Sequence, residues 1–275
     1  MVRLTDAAQS VAWADAEVWC QKDASLTEHN PMVFEKVEVQ PAYQLVASNI
    51  EKCIMQGVYK VGQQLPSELD LARQLGVNRS TVREAIRVLE QSGLVFRKSA
   101  RRLVISLPRE QDLASRVSQA MILHEITFLE LWETMLPLEV RAAELAATRA
   151  TEEEIERLEM NLRETADCLE HEQKLVALDI EFHLLVAKAS RNRALLLARE
   201  PIGLLFYPAF YQVMSRLNAK DRLLSAHREV VNGIRNRDPK HAAQWMEKHI
   251  KDFRRGYELA DLDMNQPVDN SSYFE

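Results

Sequence analysis

The chain has 275 residues, a net charge of −6 and 7 glycines. That length allows two domains with separate cores, and so little glycine argues against a turn-rich β or α/β enzyme. No apolar run is long enough to span a bilayer, no charged-then-apolar leader opens the chain, and three widely spaced cysteines suit a reducing cytoplasm.

The charge is not spread evenly. Residues 43–107 carry ten Lys/Arg against five Asp/Glu, a balance of +5 that leaves −11 for the rest. A basic head on an acidic body is the layout of a DNA-binding domain joined to a domain with another task. Residues 1–40 show weak periodicity and read as an extension with one short helix near Ala7–Trp19. A domain over 41–107, a linker over 108–112, a helical domain over 113–260 and a polar, frayed tail over 261–275 follow.

Within the head, Val46, Ile50, Cys53 and Ile54 share one face of a helix from about Ala42 to Gln56. Ser67 with Asp70 three residues on is a helix start. Leu71, Ala72 and Leu75 give that helix its buried side. Gly76 then permits a sharp turn, and Asn78 is placed to cap a third helix. Val82, Ala85, Ile86 and Leu89 form its apolar stripe, with Arg79, Arg83 and Arg87 on a neighbouring face. Gly93 ends it, and LVFRKSARRLVIS reads as two strands around a basic turn. An arginine stripe alone is more often a solvated face. Here it follows a cap, a glycine turn and a basic hairpin, which is the order of a winged helix-turn-helix.

The stretch QLPSELDLARQLGVNRSTVREAIRVLEQSGLV resembles the signature of GntR-family transcriptional regulators. The resemblance implies DNA contacts from Asn78, Arg79, Ser80, Thr81 and Arg83, with Arg101 and Arg102 of the wing gripping phosphate or a narrow groove. Two departures stand out. Leu69 occupies a position where the family often has arginine, and the wing Arg97–Arg102 lacks the usual Gly-x-Gly.

The body reads as seven helices, near 111–124, 127–148, 152–171, 173–190, 193–214, 220–236 and 238–260, with breaks at Thr151, Asn192, Pro201 and Pro239. Asp179 and His183, four apart, lie on one helix face. Such a pair alone is more often a surface pair. His227 and His249 stand on two further helices, and one carboxylate with three imidazoles would suit a borderline metal with positions left open. His241 reads as a surface residue, and His29, His124 and His171 have no evident partners.

LDIEFHLLVAKASRN and AHREVVNGIRNRDPKHAAQWMEKHI resemble the FCD effector-binding domain of FadR-type GntR regulators, over about residues 113–255. The resemblance implies an all-helical, dimeric domain holding a divalent metal (zinc, nickel or manganese) through Asp179, His183, His227 and His249. In ELWETMLPLEVRAAELAA the arginine that family members often use for a ligand carboxylate is replaced by Met135, pointing to a different or less charged ligand. Pro137 should bend the helix. Tyr207 and Tyr211, four apart, could point hydroxyls at the ligand.

The whole reads as a mainly α protein: an N-terminal winged helix-turn-helix followed by an antiparallel bundle of about seven helices. The expected function is a cytoplasmic, homodimeric regulator rather than an enzyme. It binds a pseudo-palindromic DNA operator as a repressor and is released by a small organic acid, with no membrane partner. The alternatives are a metal-dependent hydrolase-like enzyme and a metal-only sensor using the same Asp/His₃ site. Against catalysis, the chain has no HExxH, phosphate loop or nucleophile elbow.

Overall fold

The computed structural model describes residues 39–99, 102–217 and 219–268. The short helix expected near Ala7–Trp19 lies outside them. The chain divides at Pro41, and the elements below belong to the second unit, Ala42–Glu275.

The head comprises α1 (Ala42–Met55), α2 (Glu68–Leu75), α3 (Arg79–Gln91) and an antiparallel hairpin of β1 (Val95–Ser99) and β2 (Arg102–Ile105). Ser67 caps α2, its hydroxyl accepting from the Asp70 amide, and Gly76 ends it with φ +66°. Few side chains tolerate that left-handed backbone, so the glycine makes the turn possible. The α3 stripe is buried as its spacing requires: Val82, Ala85 and Ile86 are fully enclosed and Leu89 nearly so. Each large apolar residue so enclosed contributes roughly 1.5–3 kcal/mol. Leu65, Leu94, Val95, Leu103 and Ile105 close the same core, so the wing is anchored to it. One expectation fails. Asn78 sits at the N-cap of α3 with extended backbone, but its side chain makes no capping hydrogen bond.

The body is helical throughout its length: α4 (Glu110–Leu123), α5 (Phe128–Arg149), α6 (Glu152–Asp167), α7 (Glu172–Ala189), α8 (Arg193–Arg216), α9 (Lys220–Arg235) and α10 (Pro239–Leu259). Thr127 with Glu130 and Thr151 with Glu154 form reciprocal capping boxes at α5 and α6. Asn192 caps α8, and Asp238 caps α10 with Pro239 in its first turn. Pro201 was expected to break a helix, yet α8 runs unbroken through Pro201 and Pro208. The carbonyl that Pro201 leaves without a donor belongs to Leu197, which is exposed, so water can satisfy it. Pro137 likewise sits on the solvent side of α5, between the inward-facing Met135 and Glu139. Among the described residues no helix is long and apolar enough to cross a membrane.

The tail also differs from expectation. The Phe128 and Leu129 amides donate to the carbonyls of Gln266 and Met264, and the Val268 amide donates to that of Ile126. Met264 is buried in the main core. The segment after α10 is therefore pinned to the start of α5 by backbone hydrogen bonds.

The α9–α10 junction is set by Gly233. A Cβ there would lie 2.6 Å from the Ala242 nitrogen and 2.8 Å from its Cα, so the two helices approach as only glycine allows. Gly233→Ala should lower stability by about 1–3 kcal/mol, because the overpacking outweighs the roughly 1 kcal/mol gained in helix propensity. A thermal melt checks it, and an unchanged or raised Tm would mean that the helices have slack to part.

Candidate metal centre and nucleic-acid interface

The first turn of α3 carries the residues expected to meet DNA. Asn78, Arg79, Ser80 and Arg83 are exposed and Thr81 is half-buried. Free N-terminal amides and the helix dipole make this end a natural seat for phosphate, and the uncommitted Asn78 amide group adds a donor and an acceptor. Arg79 Nε lies 3.3 Å from Glu68, and Arg97 of β1 donates to the other oxygen of the same carboxylate at 3.1 Å. Glu68 thus holds the recognition helix and the wing in one register, which the sequence reading missed. Arg83 has no carboxylate within 4.0 Å among the described residues, while Arg87 pairs with Glu84. Arg102 opens β2, exposed, its Nε donating to Gln64; Arg101 lies outside the described residues. Leu69 is 48% exposed, so its replacement of the family's arginine removes a cation without entering the core.

In the body, four expected ligands from three helices meet at one buried point. Asp179 and His183 come from α7, His227 from α9 and His249 from α10, and none is more than 8% exposed. Their donor atoms all lie within 4.8 Å of one another. His249 Nε2 is 3.2 Å from both His183 Nε2 and His227 Nε2. Asp179 Oδ1 is 3.3 Å from His227 Nε2 and 3.9 Å from His183 Nε2. Asp179 Oδ1 nevertheless has no hydrogen-bond partner, and neither has His227 Nδ1. Phe182 stacks on the His227 ring at 3.6 Å and fixes its plane.

The electrostatics call for a cation. Burial pushes the Asp179 carboxyl up, with His183 and His249 offsetting part of that. Burial and the neighbouring imidazoles hold His227 and His249 well below the ordinary histidine range, so both are neutral, as metal ligands must be. For His183 burial acts downward, but Glu139 outweighs it and raises the pKa. Glu139 Oε2 lies 3.0 Å from His183 Nδ1 and accepts its proton, which leaves the Nε2 lone pair facing the cluster. Three nitrogens and a carboxylate oxygen then crowd one point, and that oxygen is left without a hydrogen-bond partner. Three edges of 3.2–3.3 Å match the ~3.3 Å between donors held tetrahedrally at about 2.0–2.1 Å from an ion, while the Asp179–His183 edge is longer at 3.9 Å. The donor set and its spacing fit a divalent metal.

Glu139 and Arg199 were not foreseen. Glu139 is 1% exposed and Arg199 of α8 2% exposed, with Arg199 Nε donating to Glu139 Oε1 at 2.8 Å. Burial would raise the Glu139 carboxyl, but Arg199 and His183 bring it down to about 2. A sequence signal existed. Glu139 is the lone charge on the inward stripe Leu131, Met135, Ala142, Ala143, Ala146, and Arg199 with Glu200 interrupts the apolar run from Ala194 to Leu205, Arg199 being the buried one of the two. Both face a cavity of about 50 Å³ that also reaches Met135, Asp179, His183 and His249. Met135 faces this cavity, and so does a buried arginine delivered by a different helix, α8. Tyr211 is 44% exposed and lines neither this cavity nor the adjoining one. The inward phase of α8 falls on Ala209, Phe210, Val213 and Met214, which turns Tyr211 outward. The Tyr207 side chain lies outside what is described. His241 is half-buried and pairs with Glu229.

Comparison with known proteins agrees with both halves. Residues 42–105 match the family described as bacterial regulatory proteins, gntR family, and residues 130–252 match the FCD domain. The chain is 30% identical over 244 residues to the Glc operon transcriptional activator of Escherichia coli, covering 83% of this chain and 93% of that protein. It is 30% identical over 229 residues to the Exu regulon transcriptional regulator of the same species, covering 80% and 86%. A solved structure of Streptococcus agalactiae GntR superposes with a TM-score of 0.54 at 30% identity, covering 78% of this chain and 99% of that one. The chain belongs to the GntR family of bacterial regulatory proteins, with an FCD domain as its helical body.

Proposed function

We infer that this regulator acts as a homodimer on a pseudo-palindromic operator, and that its body binds a small organic acid beside a divalent metal held by Asp179, His183, His227 and His249. The observation that carries the reading is the convergence of those four buried side chains at one point, in a chain whose other end exposes a recognition helix. When bound, the metal would act as a Lewis acid that takes an oxygen of the ligand. The chain's own residues do the rest. Glu139 fixes the His183 tautomer, and Phe182 fixes the His227 plane. The cavity beside the cluster favours an effector site over a metal-only sensor.

The path by which a ligand would reach the head is short. The single hydroxyl proton of Ser118 of α4 is shared between the Ala114 carbonyl of its own helix at 2.8 Å and the Pro201 carbonyl of α8 at 2.9 Å, two residues from Arg199. Arg116 of α4 donates to the Gln91 carbonyl, the last residue of the recognition helix, at 2.8 Å. An effector that binds one arrangement of α8 better than another would shift the placement of the heads, and operator affinity with it.

Contacts from Asn78, Arg79, Ser80, Thr81, Arg83, Arg101 and Arg102 are proposed to hold the DNA. Arg83→Ala should cost about 1–3 kcal/mol of operator binding and relax specificity, whereas Arg102→Ala should weaken all sequences and reduce the salt slope by about one. Anisotropy titrations on the chain's own upstream region across a salt series decide this; equal affinity for every sequence would sink it.

The double variant Asp179→Ala/His227→Ala should lose bound metal as read by elemental analysis. In the wild type, metal at about 1,000 times its Kd adds roughly 4 kcal/mol, so chelation should lower Tm by on the order of 10 °C. Stoichiometric metal in the double variant would refute the ligand assignment.

A further inference from the structure

We propose that Glu68 is a specificity-determining residue of the DNA-binding head: its carboxylate holds Arg79 back from backbone phosphate while leaving it free to read a guanine. This rests on the DNA contact proposed above for Arg79, and it gives a role to a residue that stands behind that contact.

Glu68 opens α2, and its side chain is only 12% exposed. It is an anion fixed in place. Arg79 opens α3, is 64% exposed, and meets Glu68 through Nε at 3.3 Å. That contact leaves the two terminal amino groups, with four of the five N–H donors, uncommitted to any carboxylate among the described residues. Those donors form the fork that pairs with guanine O6 and N7. An arginine held through Nε therefore takes a guanine without leaving Glu68.

Phosphate is a different partner. Its charge competes with Glu68 for the same cation, so Arg79 reaches it only by breaking the pair or by sharing one guanidinium between two anions. When the pair breaks, the counterion released by the phosphate is matched by one that Glu68 takes up, and the net release is lost. Non-specific binding consists almost wholly of phosphate contacts, whereas specific binding adds base edges. The carboxylate thus weakens the first more than the second. A built-in repulsive element of this kind widens the ratio between them.

The surrounding pairs confine the effect to Arg79. Arg97 meets the other oxygen of Glu68 at 3.1 Å but also pairs with Glu90 at 3.3 Å, so it stays paired when Glu68 is neutral. Glu84 beside Arg87 is 51% exposed, and water shares its charge.

The test uses the full chain and two duplexes, one selected by the wild-type protein from a random pool and one with that sequence scrambled. Both are titrated by anisotropy across a salt series. Glu68→Gln keeps the shape and removes the charge. It should bind the scrambled duplex roughly two- to fivefold more tightly, the worth of one exposed ion pair, with a salt slope steeper by about one. Affinity for the selected duplex should not rise, so the ratio falls, and Glu68→Asp should restore part of it. Replacing the guanines of the selected duplex singly by 7-deazaguanine should expose one per half-site at which the wild type loses about fivefold. Arg79→Lys, which has no fork, should be indifferent to that replacement. In Glu68→Gln/Arg79→Gln the scrambled duplex should bind as it does to Arg79→Gln alone, because the carboxylate acts through the arginine. Equal weakening of both duplexes by Glu68→Gln would mean that Glu68 only keeps the elements in register, and it overturns the proposal, as does an unchanged ratio. If Arg79→Gln alters neither duplex, the Arg79 contact itself is removed, which separates the two failures. A thermal melt checks that Glu68→Gln folds. If it does not, the guanine scan of the wild type and Arg79→Lys decides, and a scan without a sensitive guanine overturns the proposal.

Discussion

The Glu139 carboxylate is almost wholly enclosed, and its two oxygens are committed to different helices. Oε1 takes Arg199 of α8 and Oε2 takes His183 of α7, while Glu139 itself belongs to α5. An unpaired carboxylate at that depth would cost several kcal/mol, so the three helices cannot drift independently. The same bond sets the His183 tautomer and therefore decides which nitrogen faces Asp179, His227 and His249. Fold and site thus share one constraint. The close α9–α10 approach at Gly233 performs a similar task for His227 and His249, because it fixes the separation of the helices that carry them.

The head uses carboxylates differently. Glu68 bridges Arg79 and the half-buried Arg97, and Glu84 pairs with Arg87, but Arg79 and Arg87 are largely exposed. Pairs of this kind contribute little to stability, at most about 1 kcal/mol each. Their effect is to hold long cations near the orientation in which phosphate would take over from carboxylate. Burial separates the two cases: at Glu139 the pair is fixed, whereas on the recognition helix it is exchangeable.

Much of the head was legible because its signals are local. Ser67 and Asp70, the αL turn at Gly76 and the stripe Val82–Leu89 each act within four or so residues. The Asp179/His183 pair was legible for the same reason, and His227 and His249 became legible through family resemblance. Glu139 and Arg199 were not. Their partners lie 44 and 60 residues away in sequence, and nothing in the periodicity of α5 or α8 says that two lone charges meet. The docking of residues 264–268 onto α5 was hidden likewise, since it rests on backbone hydrogen bonds that polar composition does not reveal. Pro201 misled for the opposite reason. A local rule was applied where exposure of Leu197 lets water satisfy the freed carbonyl.

Moving the pocket's cation from α5 to α8 changes more than the identity of one residue. An arginine at position 135 would pull on a helix whose buried neighbours are other body elements. Arg199 instead stands two residues from Pro201, whose carbonyl holds Ser118 of α4, and α4 holds the end of α3 through Arg116. Arg199 and the Ser118 contact therefore lie within one turn of α8, and α4 links that helix to the end of α3. The same guanidinium holds Glu139, and Glu139 orients His183. The buried cluster and the end of the recognition helix are thus linked through three contacts, Glu139–Arg199, Ser118–Pro201 and Arg116–Gln91, each buried or helix-terminal. Coupling between sites requires elements of that kind, because a packed interior switches between discrete arrangements more readily than it deforms.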